Sequence, residues 1–565
     1  MKTQAAFKRI LVGRPMASGE LGHTLLPKTI ALPVFSSDAL SSVAYATGEI
    51  MLVLSVAGAA AVANVVPVSI AVATLLAVVV WSYRQTLHAY PNGGGAYIVS
   101  YDNLGMYPGL LAAAALLLDY VLTVSVSTVA GVDALVSSAP QLVDHKVSLG
   151  VFFVLVVALA NLRGVRESGT FFAIPTYGFI LCMFVLLGTG FVKCIGGCPV
   201  VGATEGYGNA HSALAFLLLL KAFSAGTTAL TGVEAISNGI TAFRYPQSKN
   251  AATTMLIMGL ISISLFIGTS WLARSTEVVF THTSTQTVIA QMAGAIFGKG
   301  LFFYVINAMT AAILFLAANT AFAGFPNLTS ILAVDRFLPR QLMNRGDRLV
   351  FSNGVIILTF FACLLIVAFD ATLNRLIQLY LLGVFISFTL SQAGMVVHWR
   401  KSREKGWRRS AAINGLGATL TALVLVVVIQ SKFLEGAYIV IAVIPVLIYA
   451  MRSVHRHYAE LRAELAHPER VPADRRPGHQ HMVILVERVD AATARALGYA
   501  RSVRPADLLA VAFDDSVRDE WTKLAPQIEL AVMSPGGPRK ARLKKHLRSL
   551  RKDLGQDDFL TLLVP

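Results

Sequence analysis

The sequence predicts an α-helical polytopic membrane protein followed by a soluble C-terminal α/β domain, and three observations carry that prediction. Of 565 residues, 55% are hydrophobic and only 14% are Asp, Glu, Lys or Arg, where an ordinary soluble protein has about 25% charged residues. Mean hydropathy is +0.65. Apolar runs of ~17–25 residues, long enough to cross a bilayer, recur about twelve times before residue 452, and beyond residue 456 short strands and helices with charged connections take over. The expected domains are therefore 1–455, the membrane part, and 456–565, a cytoplasmic α/β part.

The apolar runs fall near 28–57, 62–88, 107–139, 147–163, 169–193, 212–242, 251–273, 298–324, 351–369, 373–398, 411–431 and 435–451. With the N terminus inside, the inner connections, which include Arg166 and Arg348, hold fifteen Lys and Arg and the outer ones six. Positive residues accumulate on the cytoplasmic side, so both termini are expected inside the cytoplasmic (inner) membrane. The same residues explain the net charge of +16: in a soluble chain it would point to nucleic acid, but here it sits at span ends, and no nucleic-acid partner is expected. The start, MKTQAAFKRILVGRP, is basic but lacks a long apolar core ending in a small-residue cleavage site, so no removable signal peptide is expected. Among four cysteines, Cys194 and Cys198 are the one close pair, in a loop placed outside. A disulfide and two free thiols both stay open there, and neither implies a metal.

Four runs carry polar chemistry. In FSSDALSSVAYATGEI, Phe35 to Ile50, Asp38 lies at bilayer depth, where an ionised side chain costs at least about 2.5 kcal/mol and marks an ion or proton path. Ser36, Ser37, Ser41 and Ser42 supply oxygens for freed backbone amides or for a cation, so a broken helix is expected. Tyr45 follows Asp38 by two turns and shares its face. In the third run, LLLDYVLTVSVSTVAGVD sets Tyr120, Thr123 and Ser127 on one face, with Asp119 expected to point elsewhere. In the sixth, KAFSAGTTALTGVEAISNG brings Gly226, paired threonines, Gly232 and a second acid, Glu234, three residues after Thr231. It lies five spans after the first, and interruptions at corresponding places in two halves point to a transporter site at the midplane. The tenth contributes Tyr380 in LYLLGVFISFTLSQ. Each feature has a plainer alternative: a satisfied polar kink for Asp38, helix-joining hydrogen bonds for the third run, a tie between helices for Glu234, and core packing for Tyr380. Because burial in an apolar span favours a neutral carboxyl, Glu234 is the candidate proton carrier, with Asp38 the next. There is no HExxH, GxSxG, P-loop or Cys/His ligand cluster in the spans, so neither an enzyme nor a cofactor is expected.

FSSDALSSVAYATGEI, LDYVLTVSVS, ALTGVEAISNG and LYLLGVFISFTLSQAGMVVHW together resemble the KimA-type potassium importers, KUP-like potassium/proton symporters of the amino acid–polyamine–organocation superfamily. The resemblance covers nearly the whole chain. It implies the five-plus-five inverted-repeat fold shared with LeuT, a homodimer, potassium uptake driven by the proton gradient and, in some members, inhibition by cyclic di-AMP. Carried over residue by residue, the potassium site falls on Asp38 and Tyr45, on Tyr120, Thr123 and Ser127, on Thr231 with Glu234 beside it, and on Tyr380; potassium is the only metal implied. A proton-coupled amino-acid permease of the same fold is the runner-up. Such permeases hold a substrate carboxylate on bare amides at a glycine-rich break, whereas SSDALSS puts an anion there, which would repel a carboxylate and suits a dehydrated monovalent cation. A channel is the third option.

In the tail, 19 Lys and Arg stand against 15 Asp and Glu. HMVILVERV, DLLAVAFDD, IELAVMS and DFLTLLVP read as strands, and AATARALGYARSV, DEWTKLA and KARLKKHLRSLRKD as helices between them. That alternation predicts a small parallel sheet, resembling universal-stress-type domains in outline without their glycine-rich phosphate loop. No cyclic di-AMP pocket can be matched. Arg539, Lys540 and Arg542 after the turn SPGGP form a candidate phosphate cluster, and a basic helix near the anionic inner leaflet is the alternative.

Overall fold

The computed structural model describes residues 25–91, 93, 95–163, 169–201, 216–282, 284–345, 350–465, 478–533, 538–555 and 558–565. The N-terminal basic stretch, Arg166, Arg348 and Ser534–Gly537 of the SPGGP turn lie outside them. The chain divides into two units, Met1–Ala459 and Glu460–Pro565.

The first unit contains helices α1 (Lys28–Ser41), α2 (Val43–Ser55), α3 (Ala59–Val62), α4 (Val65–Ala89), α5 (Gly95–Leu104), α6 (Met106–Ser138), α7 (Lys146–Leu162), α8 (Gly169–Ile195), α9 (Phe216–Gly226), α10 (Ala235–Asn238), α11 (Gln247–Ser275), α12 (Val288–Phe297), α13 (Leu301–Val334), α14 (Ser352–Ala368), α15 (Leu373–Ser402), α16 (Trp407–Lys432) and α17 (Ala437–Leu465). Among the described residues ten helical stretches are long and apolar enough to cross a membrane. The two remaining expected runs are the first, divided into α1 and α2, and the ninth, α14, whose 17 residues rise about 26 Å.

Residues 28–195 and 216–402 run through the same succession of elements. Each half opens with an interrupted helix and continues with a long one, 25 residues in α4 and 29 in α11. A ten-residue helix follows, α5 or α12, and then the longest of the half, 33 residues in α6 and 34 in α13. Helices of 17 residues, α7 and α14, and of 27 and 30 residues, α8 and α15, close the halves. Five crossings are an odd number, so the second half starts from the opposite membrane face, which makes the repeat inverted. The halves interlock through α6, which packs on α13 and α15, and through α1 on α13.

The two interruptions are not equal, and here the structure corrects the expectation of a broken first helix. Between α1 and α2 only Ser42 intervenes, and its backbone keeps helical angles, φ −63° and ψ −23°. Ser41 Oγ donates to Asp38 O at 2.9 Å and Ser42 Oγ to Ala39 O at 3.0 Å. Hydroxyls that bond back to carbonyls one turn earlier leave a helix in place. The sixth span is unwound: after α9 a 3₁₀ turn covers Thr227–Leu230, Thr231 is extended, and Gly232 has φ +79°, which no right-handed helix continues through. Cys194 and Cys198 are joined in a disulfide.

The second unit holds β1 (Gln480–Leu485), α18 (Ala491–Val503), β2 (Asp507–Ala512), α19 (Arg518–Leu524), β3 (Leu530–Val532), α20 (Arg539–Lys552) and β4 (Phe559–Leu563). The sheet order is β3-β2-β1-β4 and every pairing is parallel, with Val483 opposite both Leu509 and Leu562. Side chains alternate across β1: Met482 and Ile484 join Leu497 and Trp521 on one face, while Val483 and Leu485 join Phe513, Leu543 and Leu547 on the other. Both faces are covered, which gives this unit its own core. Arg542 donates to Phe513 O and Met533 O, and Arg539 stacks on the Phe513 ring. Two of the three side chains expected to hold phosphate are thus engaged by the fold.

Candidate functional site: a buried acid and hydroxyl cluster

The unwound segment of the second half lies directly on the carboxylate of the first. A Cβ on Gly232 would stand 2.7 Å from both Asp38 Oδ2 and Ala39 N, so only glycine lets the two segments approach this closely. Asp38 is 3% exposed and Glu234 4%, and α6 adds Asp119 at 2%. Among the described residues no ion pair reaches any of the three. Asp38 Oδ1, Asp119 Oδ1 and Glu234 Oε2 are buried without a hydrogen-bond partner.

Hydroxyls ring these acids. Tyr45 Oη faces Thr231 but closes no hydrogen bond, and Thr231 Oγ1 donates to Thr228 O at 2.8 Å. Thr123 Oγ1 donates to Tyr380 Oη at 3.1 Å, joining α6 to α15. Tyr120 Oη accepts from Asn238 Nδ2 at 2.7 Å, joining α6 to α10. Ser37 Oγ and Thr320 Oγ1 lie 3.3 Å apart beside Asp38. Ser127 is buried farther along α6, and among the described residues no hydrogen bond ties it to the cluster.

Sequence reasoning missed Asp119, which it expected to point elsewhere. The signal was present: at 100° per residue, Asp119 lies 40° around α6 from Thr123, closer than Tyr120 at 60° (both from). It also missed Asn238 and Thr320, whose contacts come from elements distant in sequence. A cavity of about 390 Å³, lined by Gly95, Tyr97, Leu116, Tyr120, Asn238 and Gly324, reaches the cluster from the side on which α1 begins. The hydrogen-bonded Tyr120 and Asn238 form part of its wall. The Tyr120 ring is seated against Gly324, where a Cβ would stand 2.5 Å from it.

Residues 38–451 match the family model described as amino acid permease, and residues 478–565 match the KimA potassium transporter C-terminal domain. The chain is 41% identical over 499 residues, 88% of its own length and 81% of the relative's, to the potassium transporter KimA of Bacillus subtilis (strain 168). The chain belongs to the KimA transporter family. Both units of this KimA-family protein carry the match, the membrane unit through the permease model and the tail through the C-terminal-domain model. A KimA-family chain with ten membrane-crossing stretches among its described residues is a multi-pass membrane transporter.

Proposed function

We propose that this protein imports potassium by proton symport, with Asp38, Tyr45, Tyr120, Thr123, Ser127, Thr231 and Tyr380 as the residues that hold and pass the ion, and Glu234, with Asp38, as the proton-coupling group. The observation that carries the reading is three buried acids, none in an ion pair among the described residues, set among hydroxyls where the first span meets the unwound segment of the sixth. A buried, unpaired polar group costs ~1–3 kcal/mol and a charged one more, so such a cluster calls for a cation or proton. Membership beside a potassium transporter supports potassium as that cation. Asp119, buried on α6 with Tyr120 and Thr123, joins the set. The amino-acid reading is disfavoured because a substrate carboxylate would face three acids at once.

The proposed location is the cytoplasmic membrane with both termini inside. The Cys194–Cys198 disulfide supports it, because disulfides persist in oxidising compartments and this pair lies in a connection the charge bias puts outside. In that orientation the Tyr120 cavity opens inward. The tail is proposed as a dimer-forming module with no part in holding the ion; its core supports independent folding, and the engagement of Arg539 and Arg542 favours a structural role over cyclic di-AMP binding.

The test is uptake in cells lacking other potassium importers. Asp38→Asn is expected to abolish uptake while the protein still reaches the membrane, and normal uptake by well-expressed Asp38→Asn would sink the site.

A further inference from the structure

A second cavity, of about 360 Å³, lies where the ends of α2 and α16 meet the starts of α9 and α15, on the outer side in the orientation proposed above. Lys221, Arg375 and Lys432 line it with a single carboxylate, Glu435, and with His282 beside them, so its permanent charges leave an excess of two positive. Lys432, the last residue of α16, is 1% exposed, and lysine is almost never fully buried without a partner. Its Nζ donates to Glu435 Oε2 at 3.1 Å, and Lys221 takes the other oxygen of the same carboxylate. One anion thus serves two ammonium groups, and among the described residues no ion pair reaches the Arg375 guanidinium.

The remaining lining adds two features. Asn374 and Arg375 stand in the first turn of α15, whose N-cap residue, Thr372, makes no side-chain cap. The free amides and positive end of a 30-residue helix favour an anion. Asn374 Nδ2 donates to Glu49, which does not line the cavity, and Gln378 Nε2 donates to Asn374 Oδ1. A carboxylate accepts only from the nitrogen end of an amide, so this chain fixes both amides and leaves Gln378 Oε1 buried without a partner. The opposite wall is apolar, from Leu52, Val53 and Leu218. Next to it Val56, Phe216 and Leu217 are largely exposed, as side chains that face lipid are.

We propose that this cavity binds a phosphate anion, supplied by the headgroup of an anionic phospholipid. Arg375 offers the planar fork that matches phosphate oxygens, Lys221 and the buried Lys432 act as point charges, and Gln378 Oε1 accepts from a hydroxyl of the ligand. The same donors suit free inorganic phosphate; the lipid is favoured because the apolar wall runs into the lipid-facing side chains of α2 and α9. The orientation proposed above decides only which leaflet supplies the lipid, the outer one, and the chemistry of the site is independent of it. A phosphate seated here joins α9, the first half of the interrupted sixth span, to α15 and α16, and relieves Glu435 of balancing the buried ammonium and its neighbour alone.

The test is native mass spectrometry of the purified full-length protein in detergent, titrated in separate arms with phosphatidylglycerol, phosphatidylcholine and inorganic phosphate. The protein is expected to retain phosphatidylglycerol in preference to phosphatidylcholine. Arg375→Gln and Lys221→Gln should each weaken that binding about tenfold, equivalent to ~1.4 kcal/mol, and Lys299→Gln, at an exposed lysine that does not line the cavity, should leave it unchanged. Arg375 is exposed, and Lys221→Gln leaves Lys432 its bond to Glu435, so neither variant strips a buried charge of its partner. Inorganic phosphate retained instead of the lipid, and lost in the same two variants, upholds the anion site with a soluble ligand. Equal retention of the two lipids without phosphate binding, or lipid and phosphate binding by Arg375→Gln and Lys221→Gln no weaker than by Lys299→Gln, overturns the proposal.

Discussion

Gly232→Ala tests the contact between the two halves of the repeat. Gly232 has φ +79°, and an added Cβ would meet Asp38 Oδ2 and Ala39 N, both at 2.7 Å. Left-handed backbone costs an L residue ~1–2 kcal/mol, and overpacking a tight contact adds ~1–3 kcal/mol, for a sum of about 2–5 kcal/mol. The carboxylate could swing aside, but Ala39 N is backbone inside a helix, so α1 and the unwound segment must move apart. Gly105→Ala is the control: its φ is +99° with ψ −177° and a Cβ there meets nothing within 4 Å, so it bears a backbone cost alone, about 1–3 kcal/mol. Thermal unfolding of the purified full-length variants should place Gly232→Ala below Gly105→Ala. Uptake in importer-deficient cells should fall at least about tenfold for Gly232→Ala, since a factor of ten is only ~1.4 kcal/mol, and stay near wild type for Gly105→Ala. Equal melting points together with normal transport by Gly232→Ala would refute the reasoning, because the segments would then not be in contact during the transport cycle.

Glu234→Gln keeps many hydrogen bonds and removes titration; in liposomes it should uncouple potassium flux from proton flux, and retained proton movement shifts that role to Asp38 or Asp119. For the bond between Thr123 and Tyr380, a double-mutant cycle with Thr123→Val and Tyr380→Phe on half-saturating potassium should show a coupling of about 0.5–1.5 kcal/mol, and strictly additive effects would mean that the bond is absent when the ion binds. In the tail, the amide of Gly555 and then that of His479 hold the Asp558 carboxyl below the usual aspartate value. A group with a lowered folded value stabilises above its unfolded value and loses that contribution as pH falls through the folded one. Asp558→Asn should therefore lower the melting point of the tail at neutral pH, with the gap closing once the pH is brought below about 3.9; a gap independent of pH would contradict it.

Composition and periodicity carry the membrane and α/β reading of the chain. Apolar runs mark membrane crossings because unpaired backbone is excluded from the bilayer core, and alternating short strands and helices mark a parallel sheet because only a crossover returns the chain in the same direction. Asp38, Glu234 and Gly232 were legible for the same reason: acids and glycines are costly in apolar spans and stand out there. The tertiary structure alone decided which of them meet. Serines in SSDALSS can either break a helix or bond back into it, and the choice depends on neighbours, here α13 through Thr320. Asp119 reads as an outward acid until α6 is placed against α15 and, through the Tyr120–Asn238 bond, against α10. Spacing along one helix fixes angles on that helix, whereas the partner across a cavity is set by how the inverted halves pack, and no local pattern encodes that.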